Sequence, residues 1–135
     1  MEIVALIARI MFSVMFVSSG INHITKRKYM AEYAGQMGVP AATAAVPVSG
    51  VMLLGGAIMV ALGIFGDLGA ALIVAFLIPT ALLMHPFWRF DDAQQRQQQQ
   101  IHFMKNLTMA GGALALIALF MCQGGALSIT GALFG

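Results

Sequence analysis

Four long apolar stretches run through this sequence: Ile3 to about His23, Ala41 to Phe65, Leu68 to about Phe87, and about Phe103 to Cys122. Each supplies the roughly 20 residues that carry a helix across a hydrocarbon layer about 30 Å thick. Lipid offers no hydrogen-bond partner to a backbone, and the short alternating segments of a membrane barrel are not seen, so each stretch must cross as a helix. The expected fold is all-α, an antiparallel bundle of four transmembrane helices in a single domain over residues 1–135. Composition agrees: 60% of the residues are hydrophobic and 9% are charged, against about a quarter charged in a soluble domain. The lipid bilayer is therefore the first partner, and no soluble catalytic domain fits beside the spans.

The first residues carry Glu2 and no basic start or small-residue cleavage site, so the first stretch reads as a retained span and not a secretory signal. A single cysteine, Cys122, excludes within one chain a disulfide, a C-x-x-C redox pair, a c-type haem attachment and a cysteine-ligated zinc or iron–sulfur site. Cys122 itself reads as an inert apolar residue. The net charge of +2 comes from a few clustered cations and makes no phosphate-tracking face, which argues against nucleic acid as a partner.

The second and third spans are separated only by Gly66 and Asp67, which demands an antiparallel hairpin. Between the first and second spans, Tyr29, Met30, Tyr33 and Met37 recur at helical spacing beside Lys26, Arg27, Lys28 and Glu32, either as a short helix in the membrane interface or as a solvated loop. Between the third and fourth, Asp91 and Asp92 precede the Gln-rich run 94–100, which favours a polar extension of the last helix capped by the aspartates over low-complexity coil. Lys26, Arg27, Lys28, Arg89 and Arg96 all lie in these two connections, so the positive-inside rule puts both loops in the cytoplasm and both termini outside. Pro47 and Pro79 fall inside spans, where each removes a backbone hydrogen bond. Small residues four apart, such as Ala57 with Ala61, Ala71 with Ala75 and Gly111 with Ala115, would allow close helix approach, as in many membrane helices.

An antiparallel course brings Asn22 and His23, the stretch from His85 to Arg89, and His102, Lys105 and Asn106 to one face of the membrane. His102, Lys105 and Asn106 are spaced i, i+3, i+4 and share one side of their helix. A ligand pocket built from His23, His85, Trp88, His102, Lys105 and Asn106 competes here with plain interface anchoring by Trp88 and snorkelling cations. Arg9 lies within the first span, where a charge needs a partner. Asp67 is the nearest candidate for a structural pair that locks the first helix to the hairpin, with an anion or carbonyl contact in a pocket as the alternative.

Several elements together resemble the DoxX family of bacterial membrane proteins: Arg9, Ser19-Gly20 with His23, Gly38-Val39-Pro40, Gly55-Gly56, His85-Pro86-Phe87-Trp88, and Phe103-x-Lys105-Asn106 followed by Gly111-Gly112. The resemblance runs along nearly the whole chain. It implies a four-helix protein of the inner membrane and carries over Arg9, His23, His85, Trp88, Lys105 and Asn106 as candidate site residues. The family takes its name from a subunit associated with quinone-linked sulfur oxidation, so the resemblance points to an accessory subunit of a redox complex, partnered by another protein or by further copies of itself. On that reading the chain is a non-catalytic subunit, and a quinone near the histidines is the expected ligand. His or Lys would donate to a quinone carbonyl, Asn106 would orient it, and Trp88 with Phe87 would flank the ring. A b-type haem or a metal held by two histidines is disfavoured, because the carboxylates available to orient them, Glu32, Asp91 and Asp92, are in loops. A purely structural or assembly subunit, or a small transporter, is the competing reading; a transporter is expected to show internal repeats and broken helices around a midplane site.

Overall fold

The computed structural model describes residues 1–123 and 127–135. Its helices are α1 (Glu2–Thr25), α2 (Arg27–Gln36), α3 (Ala42–Leu62), α4 (Gly66–Met84) and α5 (Ala93–Gln123), with a single 3₁₀ turn at Phe87–Arg89. Among the described residues, four helical segments are long and apolar enough to span a membrane, those beginning at Glu2, Ala42, Gly66 and Ala93. The connection after the first span is the short helix α2.

Packing follows chain order: α1 lies on α3, α3 on α4, and α4 on α5. Neighbours run antiparallel, since Gly20 meets Gly50 and Leu54 while Arg9 reaches Ala61. Each helix turns one stripe inward at spacings of three and four. Leu53, Ala57 and Val60 of α3 meet Ala70, Ile73 and Leu77 of α4, with Phe16 from α1 and Ala110, Ala113, Leu116 and Phe120 from α5 completing the core. Large side chains such as Ile3, Ile7, Met11 and Val14 stay exposed on the outside, as a hydrocarbon solvent permits.

Helices in lipid associate through close packing, and the closest approaches use glycine. A Cβ on Gly20 would lie 2.8 Å from the Leu54 nitrogen, and one on Gly56 would lie 2.8 Å from the Gly69 carbonyl oxygen. These contacts join α1 to α3 and α3 to α4. Gly111, by contrast, faces open space.

The hairpin is set differently from the sequence expectation. Gly63 closes α3 in the left-handed region at φ 68°, Ile64 and Phe65 make the turn, and Gly66 and Asp67 already belong to the first turn of α4. The polar run before the last span is helical, as favoured: the Gln95 N–H donates to the Asp92 carboxylate at 3.0 Å, and the 31-residue α5 begins at Ala93. At 1.5 Å per residue such a helix is about 46 Å long and exceeds the hydrocarbon thickness of about 30 Å, which leaves its exposed N-terminal part beyond it.

Residues 127–135 fold back over the end of the bundle opposite the histidines, although no apolar periodicity marks them. Ile129 and Thr130 donate their N–H groups to the carbonyls of Leu62 and Gly63, and the Phe65 N–H donates to Thr130 Oγ1 at 2.7 Å. Beneath this segment lie Arg9, 2% exposed, and Asp67, 0% exposed. Both charged residues take partners in the C-terminal segment. Asp67 accepts the N–H groups of Leu133 at 2.8 Å and Phe134 at 2.6 Å. Arg9 donates to Ser128 Oγ at 2.6 Å, to the Leu127 carbonyl at 2.8 Å and to the Ala61 carbonyl at 3.4 Å, with its guanidinium 5.5 Å from the Phe120 ring centroid.

Replacing Asp67 by Ala strips an acceptor from two backbone N–H groups in a nearly dry site, at about 1–3 kcal/mol each. The expected result is a lower unfolding midpoint in detergent and faster cleavage of the C-terminal segment by carboxypeptidase. Asp67→Asn, which keeps one acceptor, should fall between the two.

Candidate functional site

At the histidine end α1 and α3 stay in close contact, since a Cβ on Gly50 would lie 2.8 Å from the His23 Cβ. A cavity of about 710 Å³ opens there among α1, α2, α3 and α4, walled mostly by apolar side chains such as Val46, Met52, Phe76 and Leu83. Its polar wall groups come from His23, Tyr29, Tyr33, Ser49, Thr80 and His85. A few polar groups in a mostly apolar wall, at a volume between about 300 and 1,000 Å³, are the ordinary attributes of a small-molecule site.

The two histidines are held in matching ways. His23, on the last turn of α1, places Nδ1 2.9 Å from Ser49 Oγ. The Ser49 hydroxyl donates its one proton to the Val46 carbonyl at 2.7 Å, so it can only accept from the ring. With Ser49 so engaged, Nδ1 is the ring nitrogen placed to donate and Nε2 is the one left to accept in the neutral ring. His85, just past α4, has Nδ1 2.9 Å from Gln99 Oε1, an arrangement that suits the same tautomer. Phe76 supports the His23 ring edge-on at 5.5 Å, and His102 stacks on His85 at 5.1 Å.

The six residues singled out from the sequence separate into distinct surroundings. His23 and His85 line the cavity. His102 touches it indirectly, through the stack on His85, and is itself exposed. Trp88, 47% exposed, joins an edge-to-face cluster with Phe87 and Phe103 outside the cavity wall. Asn106, 5% exposed, is buried on the inner face of α5, while Lys105 beside it is exposed. The i, i+3, i+4 spacing holds, yet the stripe straddles the rim of the bundle: its inner edge is buried and its outer edge is not. Ser49 and Gln99 carry a positioning role that sequence reasoning missed. Ser49 is a single hydroxyl in an apolar span, and Gln99 is one of many glutamines in its run.

Pro79 also lines the cavity, together with Ala75 four residues earlier. Proline has no N–H, so the Ala75 carbonyl loses its helical partner at the wall. Among the described residues no three of His, Cys, Asp and Glu converge, and His85 and His102 meet face to face.

The DoxX family model matches residues 4–86, which include Arg9, both cavity histidines, Ser49 and Asp67. The chain belongs to the DoxX family. This DoxX protein is similar to the inner membrane protein YqjF of Escherichia coli K12, at 30% identity over 115 residues, covering 85% of this chain and 82% of the relative. It is also similar to the inner membrane protein YphA of the same organism, at 28% identity over 114 residues, covering 84% and 81%. No solved structure matches. The DoxX protein is thus a small integral membrane protein, and the matched stretch contains the two imidazoles of the cavity wall but not Trp88, His102, Lys105 or Asn106.

Ser49→Ala removes the group that holds His23 Nδ1. Nitrogen-15 NMR of the labelled wild type should show His23 in the Nδ1-protonated form, and the variant should show a mixture of tautomers. A wild-type ring protonated on Nε2 would contradict the described hydrogen-bond chain.

Proposed function

We propose that this protein is a non-catalytic accessory subunit of a membrane redox complex and that its cavity holds the headgroup of a quinone. The observation that supports this most is an apolar cavity of about 710 Å³ with two oriented imidazoles in its wall. A flat, largely apolar ring with two oxygen functions suits such a chamber, and its isoprenoid tail belongs in the surrounding lipid. Bound there, a quinone supplies two-electron, two-proton redox chemistry. The protein's own residues orient and hold. His23 and His85 each present Nε2 as an acceptor when neutral, or as a donor when protonated, and Ser49 and Gln99 keep the rings from turning. Lys105 and Trp88 have no part in this site; their exposure fits anchoring at the membrane surface.

The relatives' names support residence in the inner membrane. Lys26, Arg27, Lys28, Arg89 and Arg96 at the histidine end favour a cytoplasmic cavity mouth, with both termini on the outer side. Alkaline phosphatase fused at the N-terminus is then active, and a fluorescent protein fused there is dark. The reverse pattern overturns this orientation.

Binding of a short-tail quinone to the protein in nanodiscs tests the ligand assignment. Each hydrogen bond to an imidazole contributes about 0.5–1.5 kcal/mol, so His23→Leu and His85→Leu should each weaken binding roughly two- to tenfold. Lys105→Gln should leave it unchanged. If the purified protein binds no quinone and co-purifies with no redox enzyme, the structural or assembly reading, or transport, takes its place.

A further inference from the structure

The α2–α3 pair has a second recess on the side away from the histidines. Arg27, Lys28, Ala31 and Glu32 lie on the face of α2 opposite Tyr29, Met30 and Tyr33, and Thr43, Pro47 and Val51 lie on the corresponding face of α3. Together with Ile24 these residues enclose about 660 Å³. We infer that this recess binds one anionic phospholipid of the surrounding bilayer, with its phosphodiester between Arg27 and Lys28 and an acyl chain along Ile24, Ala31 and Val51.

The inference rests on how the recess is divided and is independent of the quinone reading. One end is cationic. Arg27 donates to the Ile24 carbonyl at 3.2 Å, and among the described residues neither Arg27 nor Lys28 has a carboxylate partner. The other end is apolar and continuous with the lipid-facing side of α3, where Val51 is 65% exposed. Two acceptors lie between these ends. Pro47 has no N–H to offer the Thr43 carbonyl four residues before it, and Glu32 adds a carboxylate. A phosphate monoanion is attracted by the cations, and a headgroup hydroxyl, as on phosphatidylglycerol, can donate to the Thr43 carbonyl or to Glu32. Two cations against one carboxylate leave the recess positive, which favours a net anionic lipid over a zwitterionic one.

The test is native mass spectrometry of the full chain released from nanodiscs of mixed phosphatidylglycerol and phosphatidylcholine. Wild type should retain one phosphatidylglycerol in clear preference. Arg27→Gln with Lys28→Gln should reduce that retention about tenfold or more, from about 1 kcal/mol per interfacial cation. Lys26→Gln, which removes an adjacent cation outside the recess, should change it less than twofold if the site is local. Equal retention of the two lipids by wild type overturns the proposal, and this comparison stands even if the double variant does not fold. An equal loss in Lys26→Gln overturns it in favour of diffuse attraction to the surface. Displacement of the lipid by inorganic phosphate or glycerol phosphate, with the same dependence on Arg27 and Lys28, overturns it in favour of a site for the free anion.

Discussion

Arg9 and Asp67 are buried at one end of a bundle whose solvent is hydrocarbon, and the means by which they are satisfied organises that whole end. A buried charge there needs several directed hydrogen bonds, since neither water nor headgroups can serve it. Neither helix hairpin can supply them alone, because the backbone groups of α1, α3 and α4 are largely committed to their own helices. The C-terminal segment supplies them instead. Its N–H groups bind the Asp67 carboxylate, while its carbonyl and hydroxyl oxygens bind the Arg9 guanidinium. The same segment takes up the free carbonyls at the end of α3. One stretch of irregular chain thus closes α1, α3 and α4 together, and it can be irregular because its polar groups have partners.

At the opposite end α1 and α3 remain pressed together at Gly20 and Gly50, and the cavity lies among His23, α3, α4 and the short helix α2. Tyr29 and Tyr33 are therefore cavity wall as well as surface residues of a short helix. Pro79 adds to the local character of this end, since it removes one N–H from the helical ladder at the cavity wall. The molecule has one end where Arg9 and Asp67 are held by the C-terminal segment and one where two imidazoles line a cavity. The second is where the proposed quinone would sit.

Much of this was legible in the residues. Span length and the lack of charge within the spans determine the all-α class, and the fall of the polar residues at alternate span ends gathers the three histidines at one face. The polar extension of α5 was legible from its cap, because Asp92 needs only a neighbour three residues on. The cavity's true wall was not. Spacing puts His102, Lys105 and Asn106 on one side of a helix, but which edge of that side faces inward depends on how α5 is rotated against α4. The hairpin boundary slipped by a few residues for a similar reason: Gly66 is pressed by the Phe120 ring and Asp67 is held by the last residues of the chain, and neither contact is local.

By itself, then, the sequence determined what lipid imposes directly: how many helices cross, and that Arg9 must find partners inside the protein. These follow from the transfer of each residue between water and hydrocarbon, which depends on that residue and a few neighbours. Only the tertiary structure decided which partners Arg9 and Asp67 take in the C-terminal segment, which histidines share a cavity, and which nitrogen of each ring meets Ser49 or Gln99. Those depend on hydrogen bonds and packing between residues 14 to 119 positions apart, and directional contacts of that kind have no signature in local composition.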